Sequence, residues 1–373
     1  MPFSDFHGNA ATVRRLREML ARNRFPHAVI LSGPEGAGKY TLAQMTAKAM
    51  NCLEAPIETE SGLPDFCGHC SNCTRISEAD DLETRIAEAI EARESLKETD
   101  KKETRILIQT HPEVMVVPPD PPQLLIKIGQ VRRVIESIYY KPVEARRRVY
   151  IFTASAFMKE AANSLLKVLE EPPESASLFL LTQNPGELLP TIRSRCIHFV
   201  LSPLTTEEIA ADLSRAHKEW PPKQRELVAR LSNGALGKAR NFRLAEYHVA
   251  RKDALTLLKT ALDTRDHSEL FRTTDTYRGG AEGKDKTEDL IRCLYGLLED
   301  MMLLQNGAAG LVRNTDLTQE LTQMSKLVSL DWIEQAAYRL KQVESGMRRN
   351  LLRSLSLDAM VGYMEEADAA AGR

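Results

Sequence analysis

The chain has no proline beyond Pro222, although it contains 18 of them and continues to Arg373. Proline breaks helix interiors, so its absence leaves the C-terminal part free to form uninterrupted helices. That part is nearly all helix-period sequence, as in LIRCLYGLLEDMMLL and LDWIEQAAYRLKQV, and the shift in composition marks a domain boundary. No stretch approaches the ~18 consecutive apolar residues of a membrane span. The opening MPFSDFHGNAATVRRL lacks the apolar core of a signal peptide, so a cytoplasmic location is expected. Excess positive charge is missing too. A net charge of −2 and a pI near 6.5 argue against wholesale coating of nucleic acid, and Arg146-Arg147-Arg148 is the only dense basic run. Internal repeats of fixed period are absent. What remains is ordinary for a soluble globular protein, with 43% hydrophobic and 27% charged residues, and 373 residues imply two or three domains.

Cysteine is scarce but clustered. Of six, Cys52, Cys67, Cys70 and Cys73 fall close together, while Cys196 and Cys293 stand alone and read as small buried hydrophobes. In a reducing compartment such a cluster reads as metal ligands before disulfides. Cys67-Gly-His-Cys70-Ser-Asn-Cys73 spaces three thiols through a tight turn. Four soft ligands suit tetrahedral Zn²⁺ in a closed structural site. The competing readings are His69 in place of one cysteine, redox chemistry at the C-x-x-C pairs, or coincidence. A catalytic zinc is not expected, because four thiolates leave no position for water.

Five short apolar runs in the first 200 residues read as strands: 27–32, 113–118, 148–153, 177–182 and 196–201. Helical patterns separate most of them. Runs that are apolar throughout suggest strands buried on both faces, hence a five-stranded parallel sheet covered by helices. Residues 76–105 are densely charged, with Leu82, Ile86 and Ile90 as a thin stripe, and read as a solvated helical insertion.

The first strand runs into Gly33-Pro34-Glu35-Gly36-Ala37-Gly38-Lys39, the start of a phosphate-binding loop G-x-x-x-x-G-K. Glycines let backbone N–H groups curl towards phosphate oxygens, the following helix adds its positive end, and the lysine brings a mobile charge. Two components are missing. The next residue should be Ser or Thr to hold Mg²⁺, and it is Tyr40; Thr41 substitutes only if the loop shifts by one residue. The strand at 148–153 continues Thr153-Ala154-Ser155-Ala156, without the carboxylates that bind the metal shell and activate water. Both losses argue against hydrolysis. Static binding of ATP or ADP, or a glycine-rich turn with no ligand, stay open.

Taken in order, HAVILSGPEGAGK, the four cysteines, HPEV (111–114), ANSLLKVLEEPP (162–173) and LPTIRSRC (189–196) resemble the bacterial DNA polymerase III clamp-loader subunits, which are AAA+ proteins. The likeness covers residues 5 to about 240, and NLLRSLSLDAM (350–360) is similar to the end of the family's collar. The resemblance implies an α/β plus all-α architecture. An AAA+ P-loop domain at 1–203 would carry a zinc module (52–73) and the insertion (76–105). A small helical lid would follow at 204–244, and a helical collar for oligomerisation at 245–373. The family has ATP-hydrolysing gamma/tau subunits and a non-hydrolysing delta prime branch; Tyr40 and Thr153-Ala154 favour the latter. The resemblance further implies that Arg195, in Ser194-Arg195-Cys196, projects into a neighbour's ATP site, with Arg193 as the nearest alternative. Lys238 stands where ATPase members sense nucleotide. The implied partners are gamma/tau and delta subunits in a heteropentamer, the beta sliding clamp and primed DNA. Rival readings are a gamma/tau-like ATPase and a zinc-containing nucleic-acid-binding module with a vestigial loop.

Overall fold

The computed structural model describes residues 2–263, 267–278, 280–347 and 352–371; Asn350 and Leu351 of the 350–360 stretch lie outside the described residues. The chain divides into two compact units, one of residues 1–205 with 234–238 and one of 206–233 with 239–373.

In the first unit the chain alternates helix and strand. In order they are α1 (Ala10–Ala21), β1 (Ala28–Ser32), α2 (Lys39–Asn51), α3 (Ser71–Ser77), α4 (Leu82–Glu94), α5 (Glu98–Glu103), β2 (Ile108–His111), β3 (Val114–Val117), α6 (Ile128–Ile138), β4 (Arg148–Phe152), α7 (Lys159–Glu170), β5 (Ala176–Thr182), α8 (Pro190–Arg193) and β6 (Ile197–Val200). The sheet order is β2-β3-β4-β5-β1-β6. All five expected strands are present and mutually parallel. The sheet has six strands rather than five, because β2 pairs antiparallel with β3 at one edge. At four residues, with only Ile108 and His111 fully buried, β2 is too short for its periodicity to stand out.

Side chains on successive strand residues point to opposite faces, and both faces are covered. Val29, Leu31, Val149, Ile151 and Phe179 share one core with α1, α2 and α3. Ala28, Ile30, Tyr150, Phe152 and Leu178 share the other with α6, α7 and α8. This double burial is why the strands read as unbroken apolar runs. Pro172-Pro173 ends α7, since a residue before proline is pushed out of the helical region.

The charged insertion forms α4 and α5. No residue of α4 is fully buried, but Leu82 and Ile90 pack against the first core. Arg93 ties α4 to the body, with Nη1 2.8 Å from Oδ1 of the fully buried Asp120; Lys127 Nζ is 2.9 Å from Oδ2.

The second unit is helical. Helices α9 (Thr206–Ala216) and α10 (Pro222–Leu231) pack together, and α11 (Leu236–Arg240) brings Arg240 onto the buried Asp212 with two 2.7 Å hydrogen bonds. Beyond them lie α12 (Leu244–Asp263), α13 (Ser268–Asp275), α14 (Gly280–Gln305), α15 (Thr318–Ser325), α16 (Leu330–Met347) and α17 (Arg353–Ala371). Their core holds Leu257, Leu294, Met301, Trp332, Leu340 and Val361. Buried Asp300 caps the loop after α14 by accepting from the backbone N–H groups of Arg313 and Asn314, each at 2.9 Å.

Candidate functional site

The loop between β1 and α2 turns on glycines at the positions that the G-x-x-x-x-G-K spacing gives. Gly33 (φ +150°) passes the carbonyl of Leu201 so closely that a Cβ would lie 2.5 Å from its oxygen, and only glycine fits. Gly38 (φ +84°) caps α2 in the left-handed region, beneath the ring of Phe6. Lys39 does not reach outwards: Nζ donates to the carbonyls of Gly33 and Pro34, both at 2.7 Å. Burial lowers its pKa, against the attraction of Glu35. Glu35 in turn pairs with Lys238 Nζ at 2.8 Å, and Gly237 N–H donates to the Gly36 carbonyl at 2.9 Å, so residues 234–238 close over the loop tip.

Tyr40 is turned towards α3 rather than the glycine loop. Its hydroxyl donates to the Ala79 carbonyl at 2.5 Å, just past α3, and accepts from Gln44 Nε2 at 2.6 Å. Burial pushes its pKa well above the usual tyrosine value. Thr41 is exposed on α2. At the end of β4, Ser155 Oγ donates to the carboxylate of Glu187, which arrives from the turn Pro185–Glu187 and not from the strand itself.

The four clustered cysteines converge. Cys52 ends α2, Gly68 (φ +78°) turns the loop, Cys70 caps α3 and Cys73 lies in its first turn. The four sulfurs lie within 4.8 Å of one another. A tetrahedral centre with metal–sulfur bonds of ~2.3 Å needs sulfurs about 3.8 Å apart, so a small contraction suffices. Backbone N–H groups already point at sulfur: Ala55 and Cys67 donate to Cys52 Sγ at 3.3 Å, and Cys70 donates to Cys67 Sγ at 3.2 Å. Such donors favour thiolate, the ligand form, although at Cys67 burial outweighs them and raises the thiol. Burial pushes the Cys70 thiol up, but N–H groups of Cys73 and Leu53 and the neighbouring thiols outweigh it, leaving it down at about 6. His69 is exposed, with Nδ1 3.4 Å from Glu54 Oε1, and forms a looser group with Glu54 and Cys67. The four-thiol set fits a metal ion and leaves no open position.

Arg195 sits in the turn from α8 to β6. Its Nη2 donates to Glu170 Oε1 at 3.0 Å and its Nη1 to the Thr191 carbonyl at 3.0 Å. Arg193, two residues earlier at the end of α8, is exposed. Because Ile197 pairs with Val29, Arg195 lies at the N-terminal edge of the parallel strands, whereas Gly33 follows their C-terminal edge. Roughly six residues of strand separate the two levels, about 20 Å at 3.3 Å per residue. The arginine and the lysine of one chain are therefore not brought together.

Three partners escaped sequence reasoning: Glu170 beneath Arg195, Glu187 beside β4, and Ala79 against Tyr40. The first lies inside the ANSLLKVLEEPP motif, which was a usable signal. A backbone carbonyl such as that of Ala79 leaves none.

Among the described residues no helix is long and apolar enough to cross a membrane. In comparisons with known proteins, the chain is 29% identical over 270 residues to DNA polymerase III subunit tau of Escherichia coli K12, covering 71% of this chain and 33% of that one. It is 26% identical over 312 residues to DNA polymerase III subunit delta' of Bacillus subtilis 168, covering 83% and 82%. It thus spans about a third of the length of the E. coli tau relative but most of the delta' one. Among solved structures, a DNA polymerase III gamma subunit-related protein of Thermotoga maritima aligns with TM-score 0.43 at 17% identity, covering 95% of this chain and 99% of that one. The family model described as DNA polymerase III, delta subunit matches residues 8–205, more than half of the chain, and the protein belongs to that family.

Proposed function

We propose that this chain is the non-hydrolysing stator, of delta prime type, in a DNA polymerase III clamp loader. In this reading it joins gamma/tau and delta subunits in a ring that places the beta sliding clamp on primed DNA. Residues 1–203 form the AAA+ domain, 204–244 the lid and 245–373 the collar that holds it in the ring. The four cysteines hold a structural Zn²⁺ that ties α3 to the end of α2, and the loop Gly33–Thr41 is at most a static perch for ATP or ADP.

One observation carries the proposal. Arg195 lies at the opposite edge of the sheet from its own phosphate loop, so any nucleotide it touches belongs to another chain. A guanidinium suits that role, being always charged and able to fork onto phosphate oxygens as charge builds up on the transferring group. The inert side of the reading rests on Tyr40, whose hydroxyl is committed to Ala79, and on β4, which ends without a carboxylate.

The test is a reconstituted complex in which this subunit carries Arg195→Ala. Clamp- and DNA-stimulated ATP hydrolysis should fall at least tenfold, a floor well below the roughly 10³–10⁵ that trans arginines supply, while assembly is retained. Unchanged hydrolysis removes the assignment. A second reading, a gamma/tau-like ATPase, draws on the tau relative at 29% identity. It requires turnover by the isolated chain with clamp and DNA, abolished by Lys39→Ala.

A further inference from the structure

At the N-terminal edge of the sheet, on the α1–α2 face, lies a cavity of 710 Å³. Its walls come from the end of α1, the segment before β1, the end of α2, the cysteine module, the segment before β4 and the turn after α7. The volume falls within the usual range for ligand pockets, ~300–1,000 Å³. It also contains two-thirds of the only dense basic run in the sequence. Of that run, Arg148 is spent internally, donating from Nε to the Tyr140 carbonyl at 2.8 Å. Arg146 and Arg147 line the cavity.

The presentation of these two arginines is built. Asn51, 1% exposed at the end of α2, clamps their backbone: its Oδ1 accepts from both N–H groups, at 3.2 and 2.9 Å, and its Nδ2 donates to the Arg147 carbonyl at 3.0 Å. Arg147 donates from Nη2 to the Glu174 carbonyl oxygen at 2.8 Å, but its Nε is buried with no partner. His27, in the same wall, has a buried Nε2 with no partner. The Arg146 guanidinium makes no ion pair or hydrogen bond among the described residues. A buried polar atom left unpaired, as at Arg147 and His27, costs about 1–3 kcal/mol, and native proteins rarely leave one so. Against the two arginines the wall offers one acid, Glu174. Apart from Asn23, His27 and Ser175 the rest is apolar, including Met50, Pro173 and Ile57, the last 67% exposed at the rim.

We propose that this cavity is a docking site for an extended acidic peptide segment of a partner protein, with an apolar side chain in the cavity and flanking carboxylates on Arg146 and Arg147. Cationic donors around an apolar floor call for a ligand that is both anionic and apolar. Single-stranded nucleic acid shares the charge but binds by stacking bases on exposed aromatic rings. The only aromatic carbocycle in the wall is Phe25, 5% exposed, which presents no such platform. The site lies on the face of the sheet away from α7 and α8, and it does not depend on the stator reading.

The experiment uses the whole purified chain and fluorescence anisotropy. The probe is a fluorescein-labelled pool of pentapeptides alternating Glu with Leu or Phe; the controls are Glu alternating with Ser, Lys alternating with Leu or Phe, and a 15-nucleotide oligo-dT. The acidic–apolar pool should bind saturably and more weakly at high salt. Arg146→Glu should weaken it about tenfold or more, and Ile57→Ser severalfold, with the thermal midpoint of both exposed-site variants unchanged. Absence of saturable binding, equal binding of the Glu–Ser control, tighter binding of the oligonucleotide, or indifference to Arg146→Glu would each overturn the proposal.

Discussion

The phenol of Tyr40 donates a 2.5 Å hydrogen bond to the carbonyl of Ala79, joining the first turn of α2 to the segment that follows the cysteine module. Eight residues further along α2, Lys48 Nζ lies 2.5 Å from Oδ2 of the next residue, Asp80. The helix that begins in the phosphate loop is thereby fastened along its length to the turn between α3 and α4, and it ends at Cys52. At the one position where a small hydroxyl would serve Mg²⁺, the sequence has a residue used for packing. Tyr40→Phe keeps the ring and removes both hydrogen bonds, stranding the Ala79 carbonyl and Gln44. The expected loss is about 1–3 kcal/mol, read as a lower midpoint in urea, with no change in the chain's ATP hydrolysis. A gain of hydrolysis would mean the hydroxyl was blocking a competent site.

The cysteine module makes a second prediction. Purified protein should contain about one equivalent of zinc, and a strong chelator should lower its thermal midpoint. Cys70→Ser should do both at once, because a closed four-thiolate site tolerates no missing ligand. Metal binding requires thiolates, so lowering the pH should release the ion before the fold is lost. His69→Ala, by contrast, should keep the metal, since that ring lies outside the four-sulfur cluster and faces solvent. Retention of metal by the Cys70 variant and loss by the His69 variant would reverse the ligand assignment.

How much of this was legible depends on how far apart the interacting residues lie. The strands could be read because burial on both faces makes them apolar throughout, and β1 needs no distant information to be recognised. The cysteines could be read because three of them fall within a single turn. The edge strand β2 was missed because four residues, buried only at the two ends, carry no periodicity. Glu170 and Arg195 lie 25 residues apart on different elements, and only the fold brings the tip of α7 under the turn before β6. The same holds for Arg93 and Asp120, which convert a solvated-looking insertion into one with a buried ionic anchor.

His111 gives a prediction about pH. The ring is fully buried between β2 and β3, its Nδ1 accepts from Glu113 N–H at 3.2 Å, and Nε2 has no partner. Burial lowers its pKa from 6.5, with Glu113 opposing. The unfolded chain therefore takes up a proton that the folded chain refuses. Stability should be intact above pH 6.5 and fall as the pH drops below it, down to the folded value. His111→Gln will be less stable at pH 7.5 but should lose less on going to pH 5.5. An unchanged slope between the two would show that other groups control the acid limb.

The ion pair between Arg195 and Glu170 supports the last prediction, which rests on the stator reading. Both side chains are partly exposed, at 35% and 52%, so the pair adds only about 0.2–1 kcal/mol to stability. A contact that weak gives little to the fold, but it restricts a guanidinium that would otherwise sample many rotamers. A nucleotide phosphate, with more charge than one carboxylate, can displace it without difficulty. Glu170→Ala should therefore leave the melting temperature and complex assembly unchanged, yet lower the kcat of clamp-stimulated hydrolysis severalfold at constant KM. Glu170→Gln, which keeps a hydrogen-bond acceptor, should recover part of the loss. If Arg195→Ala abolishes stimulation and Glu170→Ala does nothing, the arginine acts without this support. If neither variant has an effect, the trans-acting role of Arg195 itself fails.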